Sequence, residues 1–277
     1  MSQGSKKLRL AVLVSGGGTN LQALLDRANA GELAAEVVVV ASDRADAYGL
    51  VRAQNAEIPA HVVDYRGFLR AEPEAPSLTE RVLRECSVDI AELDRRQKIL
   101  RHADTRSRQE RLARLVLAEH ALIQVLDGYQ PDYVCLAGFM RLLTPFFLSH
   151  YNQKGDYRVV NIHPALLPAF PGQHGYQDTF EYGCKWGGIT VHFADEGEDS
   201  GPIIAQAVYP IWPGEDMETV RQRGLRTEYD VYAQCINWIA AGQVMVQRGE
   251  DGRPRVAITD PAYSDVLRGW LAMSMEV

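Results

Sequence analysis

Two polar residues stand at the end of an apolar run, in the segment VVNIHPALLPAFPG at residues 159–172. Asn161 and His163 are two positions apart, so their side chains point to the same side of an extended segment. Ligands of open α/β sheets bind at the carboxyl ends of the strands, where we expect this pair to lie. An amide donor beside an imidazole predicts a site that stabilises an oxyanion and transfers a proton.

A second polar segment, TVHFADEGEDSGP at residues 190–202, contains His192 and an acidic loop. Acyl transfer to an amine needs an oxyanion donor, a proton shuttle and a group that favours the charged form of the shuttle. Asn161, His163 and one carboxylate of the loop supply these three parts. Two other interpretations stay open. The histidines can be structural beside a solvated loop, or His163, His192 and Asp199 can bind a metal ion, although no close His or Cys pair supports this.

A glycine-rich loop, SGGGTNLQ at residues 15–22, lies between a predicted strand and a predicted helix. Glycine allows a sharp turn, and the amides of Gly18, Thr19 and Asn20 would then lie at a helix N-terminus that favours an anion. The loop is not a dinucleotide fingerprint, because Leu21 occupies the third glycine position, and no Gly-Lys-Ser/Thr follows as in a P-loop. We therefore predict a phosphomonoester site, with a tight turn that binds no ligand as the alternative.

Apolar runs alternate with amphipathic stretches, which predicts an α/β fold with an open, mostly parallel, Rossmann-like twisted sheet and helices on both faces. The predicted strands are residues 8–14, 36–41, 60–63, 133–137, 159–162, 189–193 and 203–208, with a weak strand at 256–258. The predicted helices are residues 20–29, 47–54, 109–126 and 218–241, with a last helix that begins at Pro261.

The segment from residue 68 to residue 105 departs from this alternation. A proline-containing stretch, AEPEAPS, is followed by an Arg- and Glu-rich segment whose apolar residues have roughly helical spacing. We expect a helical insertion in a single domain of residues 1–277, either solvated on the surface or at the interface of a homodimer. Residues 243–277 are expected to form a C-terminal extension.

The composition limits the classes of function. Hydrophobic residues make up 46% of the 277 residues, which allows a substantial core, and the net charge of -7 argues against a nucleic-acid binder. Four scattered cysteines, without a Cys-x-x-Cys pair, are typical of reduced thiols in a cytoplasmic protein. The N-terminal apolar run stops at Val14, so it is too short to span a membrane and has no signal-peptide pattern.

Taken together, the motifs resemble those of glycinamide ribonucleotide formyltransferases, within the wider family of folate-dependent formyltransferases. The matching segments, in order, are SGGGTNLQALLD, ASDRADAYGLVRAQNAEIPAHVVD, LAGFMRLLTPFFLSHY, NIHPALLP, TVHFADEGEDSGPIIAQ and TEYDVYAQCINW. The run Asn-x-His-Pro-x-Leu-Leu-Pro is specific to formyltransferases, and the Ser-Gly-x-Gly-Thr-Asn-Leu loop points to the ribonucleotide branch. The resemblance implies that 10-formyltetrahydrofolate donates a formyl group to the amine of phosphoribosylglycinamide in purine biosynthesis, without a metal.

The resemblance also implies residue roles, beginning with a catalytic group of Asn161, His163 and Asp199. The implied substrate contacts are Gly18, Thr19 and Asn20 at the phosphate, Glu228 at the ribose hydroxyls or the glycinamide, and Met140 and Pro164. The implied folate pocket consists of Met140, Arg141, Leu142, Leu143, Leu148 and Val159, with Ala194, Asp195, Glu196 and Asp199.

Three features differ from the family pattern. The insertion is longer than the family's usual connection, and residues 172–188 lack a His-x-His-Arg-like pattern. Leu225 stands where the family has a polar or basic residue, so we expect Arg223 or Arg226 to replace it. Two alternatives therefore stay open: a formyltransferase that acts on another amine, such as an amino sugar nucleotide, and a folate- or nucleotide-binding module without activity.

Overall fold

The computed structural model describes residues 7–70, 77–100, 104–153 and 156–276. Its strands are β1 (Leu8–Val14), β2 (Ala35–Ser42), β3 (Ala60–Val62), β4 (Tyr133–Leu136), β5 (Val159–His163), β6 (Trp186–Phe193), β7 (Ile203–Pro210), β8 (Val244–Arg248) and β9 (Pro254–Ile258). One sheet has the order β3-β2-β1-β4-β5-β6-β7, and β8 and β9 form a separate hairpin. The pairs among β1 to β5 are parallel, whereas β6 and β7 pair antiparallel. This mostly parallel α/β sheet confirms the predicted fold class.

The helices cover both faces of the sheet. They are α1 (Thr19–Ala30), α2 (Tyr48–Asn55), α3 (Tyr65–Arg70), α4 (Leu78–Cys86), α5 (Ile90–Arg96), α6 (Thr105–Asp127), α7 (Pro145–Tyr151), α8 (Gly175–Glu181), α9 (Met217–Ala240) and α10 (Tyr263–Met275). Buried side chains of α1, α9 and α10 belong to one core cluster, and those of α3, α6 and α7 belong to a second. Among the described residues, no helix is both long and apolar enough to cross a membrane.

The first strand shows why the sheet needs both layers. Leu10 and Val12 belong to the first core cluster, whereas Ala11 and Leu13 belong to the second. Successive side chains of a strand point to opposite faces, so a continuous apolar run must be covered on both sides. All four side chains have no solvent exposure (0%), as expected for the central strand of a parallel sheet.

The strand order reverses next to β1, which lies between β2 and β4. Such a reversal opens a crevice at the carboxyl ends of the strands, because the connections leave the sheet in opposite directions there. The glycine loop follows β1, and Asn161 and His163 end β5, one strand beyond β4. The fold therefore brings both predicted motifs to one edge of the sheet.

Within its described residues, the insertion contains two helices, α4 and α5, rather than one continuous helical stretch. α4 ends because Ser87 adopts a left-handed conformation with φ of +57°, and α5 begins where the Asp89 carboxylate accepts hydrogen bonds from the Ala91 and Glu92 amides. Apolar side chains of both helices pack against α6 in a third cluster of Leu78, Val82, Ile90, Leu93, Leu112, Ala113, Val116 and Leu117. Most of the AEPEAPS stretch, residues 71–76, and residues 101–103 lie outside the described part of the chain.

The C-terminal segment differs from the prediction in two respects. α10 begins at Tyr263 and not at Pro261, because Asp260 accepts hydrogen bonds from the Ala262 amide (2.9 Å) and the Tyr263 amide (3.0 Å), which forms a turn before the helix. The weak strand at residues 256–258 is confirmed as part of β9. Its partner β8 was not predicted, because most of its side chains are exposed and its pattern lacks a buried face.

Candidate active site

The pairing of β5 with β6 sets the geometry of the site. Asn161 lies directly opposite His192 in the antiparallel register, and such cross-strand neighbours are close enough to interact. The Asn161 Nδ2 atom is 3.1 Å from His192 Nε2. His192 Nδ1 is 2.9 Å from the Phe193 carbonyl oxygen and donates to it, which fixes the orientation of the imidazole ring beside Asn161. His192 therefore orients the amide side chain of Asn161.

Asp199 reaches this pair from the loop that connects β6 to β7. The loop turns back tightly at Gly201, where any Cβ atom would lie 1.8 Å from the Phe193 carbonyl oxygen. Asp199 itself has φ of +48°, a left-handed conformation that Asp tolerates better than most residues. Its Oδ1 accepts a hydrogen bond from Asn161 Nδ2 (3.3 Å), and its Oδ2 lies 3.3 Å from His163 Nδ1. The structure thus brings together Asn161, His163 and Asp199, the three side chains that were predicted to act together.

The charge on Asp199 depends on several donors. Burial by itself raises the pKa of this carboxyl, but a hydrogen bond from His192, the nearby His163 and the Gly172 amide outweigh it and leave the pKa below its usual value. The Gly172 amide donates to Oδ2 over 2.8 Å. Asp199 is therefore ionised at neutral pH although only 12% of its side chain is exposed.

His163 is subject to two opposing effects. Burial lowers the pKa of this imidazole, while Asp199 and the Phe170 carbonyl oppose the shift without cancelling it. Nε2 lies 2.8 Å from the Phe170 carbonyl oxygen and Nδ1 faces Asp199, so both ring nitrogens have an acceptor. The charged ring would satisfy both acceptors, but burial favours the neutral ring in the free protein.

A cleft of about 370 Å³ lies beside these residues. It is lined by the catalytic candidates and by most of the other predicted contacts: Asn20, Met140, Arg141, Leu142, Leu143, Leu148, Pro164, Ala194, Asp195 and Glu228. Met140 and Leu142 are 52% and 40% exposed, which is unusual for large apolar side chains. Together they offer an apolar lip on which a flat ring could pack.

Two residues of the predicted folate pocket, Val159 and Glu196, do not line the cleft, and a third, Arg141, is paired with another residue. Val159 is fully buried (0% exposed) in the second core cluster, so its side chain is not on the cleft wall. The Glu196 carboxylate accepts a hydrogen bond from Arg96 of the insertion at 2.8 Å. Arg141 lines the cleft, but its guanidinium Nε donates to the buried carboxylate of Asp43 at 2.6 Å and so is not available as a free cation.

The glycine loop presents an uncapped helix start. Gly18 is the N-cap of α1 with φ of +65°, and none of the described side chains caps it. A Cβ atom on Gly18 would lie 2.6 Å from the Gly49 Cα atom, so both the turn and the close contact require glycine. The first amides of α1, including those of Thr19 and Asn20, can therefore bind an anion.

Arg52, which was not predicted from the sequence, donates to the Gly17 carbonyl at 2.8 Å and places a positive charge beside the loop.

Glu228 and the side chain of Asn20 form one buried network. Asn20 Nδ2 and the Tyr176 hydroxyl each donate to the Glu228 carboxylate at 2.6 Å. Burial raises the pKa of Glu228, although both hydrogen bonds oppose the rise. The Asn20 side chain is thus bound to Glu228, which leaves its backbone amide for the predicted phosphate contact. Tyr176 was not predicted, because it lies in the segment 172–188 where the family motif is absent.

Neither Arg223 nor Arg226, the residues expected to replace a basic residue at Leu225, lines the cleft. Arg223 donates to the Glu215 carboxylate and to the Pro210 carbonyl, and Arg226 lines a separate depression together with Arg223. Arg221, one helical turn before Leu225, lines the cleft instead. The residue spacing of a helix could have indicated this, because positions four apart share a face.

Within the described ranges, no three His, Cys, Asp or Glu side chains are grouped in a way that could hold a metal ion. The two histidines and Asp199 are instead connected by the hydrogen bonds and close contacts given above.

Known proteins resemble this chain along most of its length. Residues 8–236 match the family described as formyl transferase. Phosphoribosylglycinamide formyltransferase of Escherichia coli (strain K12) is 33% identical over 237 residues, covering 86% of this chain and 89% of that protein. The solved structure of glycinamide ribonucleotide transformylase 1 from Symbiobacterium toebii is 35% identical with a TM-score of 0.69, covering 94% of this chain and 100% of that one. The chain therefore belongs to the formyl transferase family.

Proposed function

We propose that this formyl transferase moves the formyl group of 10-formyltetrahydrofolate to the primary amine of 5'-phosphoribosylglycinamide, a step of purine biosynthesis. The observation that carries the proposal is the convergence of Asn161, His163 and Asp199 on one wall of a cleft. Asn20, the second residue of α1, also lines this cleft, so a phosphate bound at the uncapped helix start would belong to the same substrate.

The reaction requires direct attack by the amine on the formyl carbon. A carbon–nitrogen bond forms to the amine, the bond from the formyl carbon to folate N10 breaks, and one proton moves from the amine to N10. Asn161 and His163 donate hydrogen bonds to the oxyanion that develops between these steps. Their present contacts to Asp199 are 3.3 Å long, longer than the usual value of about 2.9–3.0 Å. Such long contacts are common before substrate binds, and they leave both donors able to turn towards the oxyanion.

Asp199 supports the charged form of His163 and helps to pass the proton from the amine to the folate nitrogen. An ionised carboxylate close to an imidazole opposes the loss of charge that burial causes. The lowered pKa of Asp199 keeps this carboxylate ionised at neutral pH. Removing the carboxylate should therefore slow the chemical step far more than it weakens substrate binding.

The two ends of the cleft fit the two substrates. Met140, Leu142 and Leu143 supply apolar contacts for the flat pteridine ring, and backbone groups of the acidic loop can bind its polar edge. Glu228 and Arg221 lie in the same cleft and offer hydrogen bonds to the hydroxyl and phosphate groups of the ribonucleotide. The reacting atoms would meet between these ends, next to His163.

One assay tests this assignment. The purified protein is mixed with 10-formyltetrahydrofolate in three parallel reactions, which contain phosphoribosylglycinamide, an amino sugar nucleotide or no amine. The tetrahydrofolate that each reaction releases is followed by absorbance. We expect release only with phosphoribosylglycinamide. Release with the amino sugar nucleotide would point to the alternative acceptor, release without an amine to a hydrolase, and no release to a binding module.

The proposal extends to the surroundings of the enzyme. The free thiols of Cys86, Cys135, Cys184 and Cys235 support a reducing compartment, and we propose the cytoplasm. We propose that its partners are small molecules and that it binds neither nucleic acid nor a membrane. A homodimer stays a prediction, which light scattering of the purified chain tests.

A further inference from the structure

The insertion reaches the cleft through residues 90–100, which comprise α5 and the turn after it and are called the arm below. Ile99, at the end of the arm, lines the cleft. It also packs against the second core cluster, to which the folate-side residues Leu143 and Leu148 belong. An apolar side chain from the insertion therefore lies on the same side of the cleft as the proposed pteridine pocket.

The base of the arm is firmly attached to α6. The Asp94 carboxylate, 6% exposed, accepts two hydrogen bonds from the Arg108 guanidinium at 2.6 and 2.8 Å. The hydrogen bond from Arg108 is also the main reason that the pKa of Asp94 lies below its usual value. A two-point contact of this kind fixes orientation as well as distance.

The turn that carries Ile99 is held by one side chain. Gln97 Oε1 accepts hydrogen bonds from the Ile99 amide at 3.0 Å and the Leu100 amide at 2.7 Å. Gln97 Nε2 donates to Asp94 Oδ1 at 3.2 Å, which connects the turn to the attachment at the base. The position of Ile99 is thus determined by hydrogen bonds within the arm.

The arm also touches the acidic loop that carries Asp199. Arg96 Nη2 donates to Glu196 Oε1 at 2.8 Å and to Ser149 Oγ of α7 at 3.2 Å. The Arg96 and Glu196 side chains are 48% and 33% exposed, so the ion pair itself adds little stability. Its effect is positional, because Glu196 precedes Asp199 by three residues in the loop.

We propose that the arm forms a wall of the folate end of the cleft, in which Ile99 contacts the reduced folate and Arg96 positions the Asp199 loop through Glu196. The proposal rests on the proposed function, because it assigns the cosubstrate to that end of the cleft. Ile99 then determines the affinity for the folate, and Arg96 is a positioning residue that acts through Glu196.

Substitution of Ile99 by serine tests the contact. Ile99→Ser is compared with Leu83→Ser, a control in α4 whose side chain is 58% exposed and away from the cleft lining. Loss of a partly exposed branched side chain from a ligand contact should weaken folate binding about five- to tenfold. We therefore expect a higher KM for 10-formyltetrahydrofolate, an unchanged KM for the amine, and no change in the control. Equal folate KM values for both variants would overturn the proposal.

Binding of tetrahydrofolate, measured by calorimetry, separates this proposal from the proposed function. If the wild-type chain binds tetrahydrofolate but transfers no formyl group, the proposed function fails, and weaker binding by Ile99→Ser still supports the arm. If transfer occurs and Ile99→Ser binds tetrahydrofolate as the wild type does, only the arm fails. A wild-type chain that binds no tetrahydrofolate would overturn both.

A double-mutant cycle tests the positional contact. Arg96→Gln and Glu196→Gln should each lower kcat about threefold, and the double variant should be no slower than either single variant, because both remove one contact. Arg81→Gln, which breaks the Arg81–Glu85 pair within α4, is the matched control and should keep the wild-type kcat. Additive losses in the cycle, or no loss in either single variant, would contradict the positional role.

Discussion

Asp43 connects the ends of three neighbouring strands at the crevice, and its removal should destabilise the protein. Its side chain is 1% exposed and accepts a hydrogen bond from Arg141 Nε at 2.6 Å, in the segment after β4. The Ser15 hydroxyl, at the end of β1, donates to Asp43 at 2.5 Å and accepts from the Met140 amide at 2.8 Å. Asp43→Asn therefore removes the charge that compensates Arg141 and weakens the whole connection.

The size of the effect follows from the burial of the two partners. Removing one partner of a buried ion pair costs about 3–5 kcal/mol, because the other charge is left without compensation. Arg141 is 25% exposed, so water recovers part of this cost and we expect about 2–3 kcal/mol. In a chain of this size, one kcal/mol shifts the melting temperature by about 2–4 °C. The variant should therefore melt on the order of 5–10 °C below the wild type.

Thermal unfolding by calorimetry measures this difference, with Asp46→Asn as the matched control. Asp46 is three residues further along the chain and pairs with Arg44, but its side chain is 70% exposed. We expect no measurable change in the melting temperature of the control. Asp43→Asn should also raise the KM for the folate, since Arg141 and Met140 line the cleft. Equal melting temperatures for the two variants would refute the argument that this buried network stabilises the crevice.

Three further predictions concern ionisable groups. Asp199→Asn should lower kcat about 10²–10⁴-fold, and near-normal turnover would contradict its proposed role. Glu228→Ala should raise the KM for the amine substrate but leave the KM for the folate unchanged, because Glu228 is bonded to Asn20 near the phosphate loop. Glu119 is fully buried (0% exposed), which raises its pKa from 4.5 to about 8. The folded state then binds the extra proton, so the unfolding free energy of the wild type should fall between pH 4.5 and 8 relative to Glu119→Gln, and parallel pH profiles would contradict this.

The fold could be predicted where apolar runs are continuous. β1 spans the residues expected of it, because a central parallel strand is apolar on both faces and the glycine loop ends it. The break between α4 and α5 was not predictable in the same way, since Ser87 adopts the left-handed conformation that usually indicates glycine. β8 was missed because an exposed hairpin strand lacks the apolar alternation on which the prediction depends.

The site was predictable only in part. Asn161 and His163 could be placed together from the sequence alone, because residues two apart at a strand end share a face. The destination of a charged side chain depends instead on tertiary contacts, and Arg141 pairs with a carboxylate 98 residues away. Ile99 carries no motif, and its position in the cleft depends on how the arm attaches to α6 through Arg108.

The ionisation of the Asp199 carboxyl depends on contacts that only the folded chain supplies. A carboxyl as buried as this one would be protonated more easily than usual, and a protonated Asp199 could not support the charge on His163. The donors that reverse this shift come from separate parts of the chain: His163 from β5, His192 from β6 and the Gly172 amide from the segment after β5. They surround one carboxylate only when β5 and β6 are paired and the loop closes at Gly201. The charge that the proposed mechanism requires of Asp199 is therefore a property of the folded sheet and not of the acidic sequence.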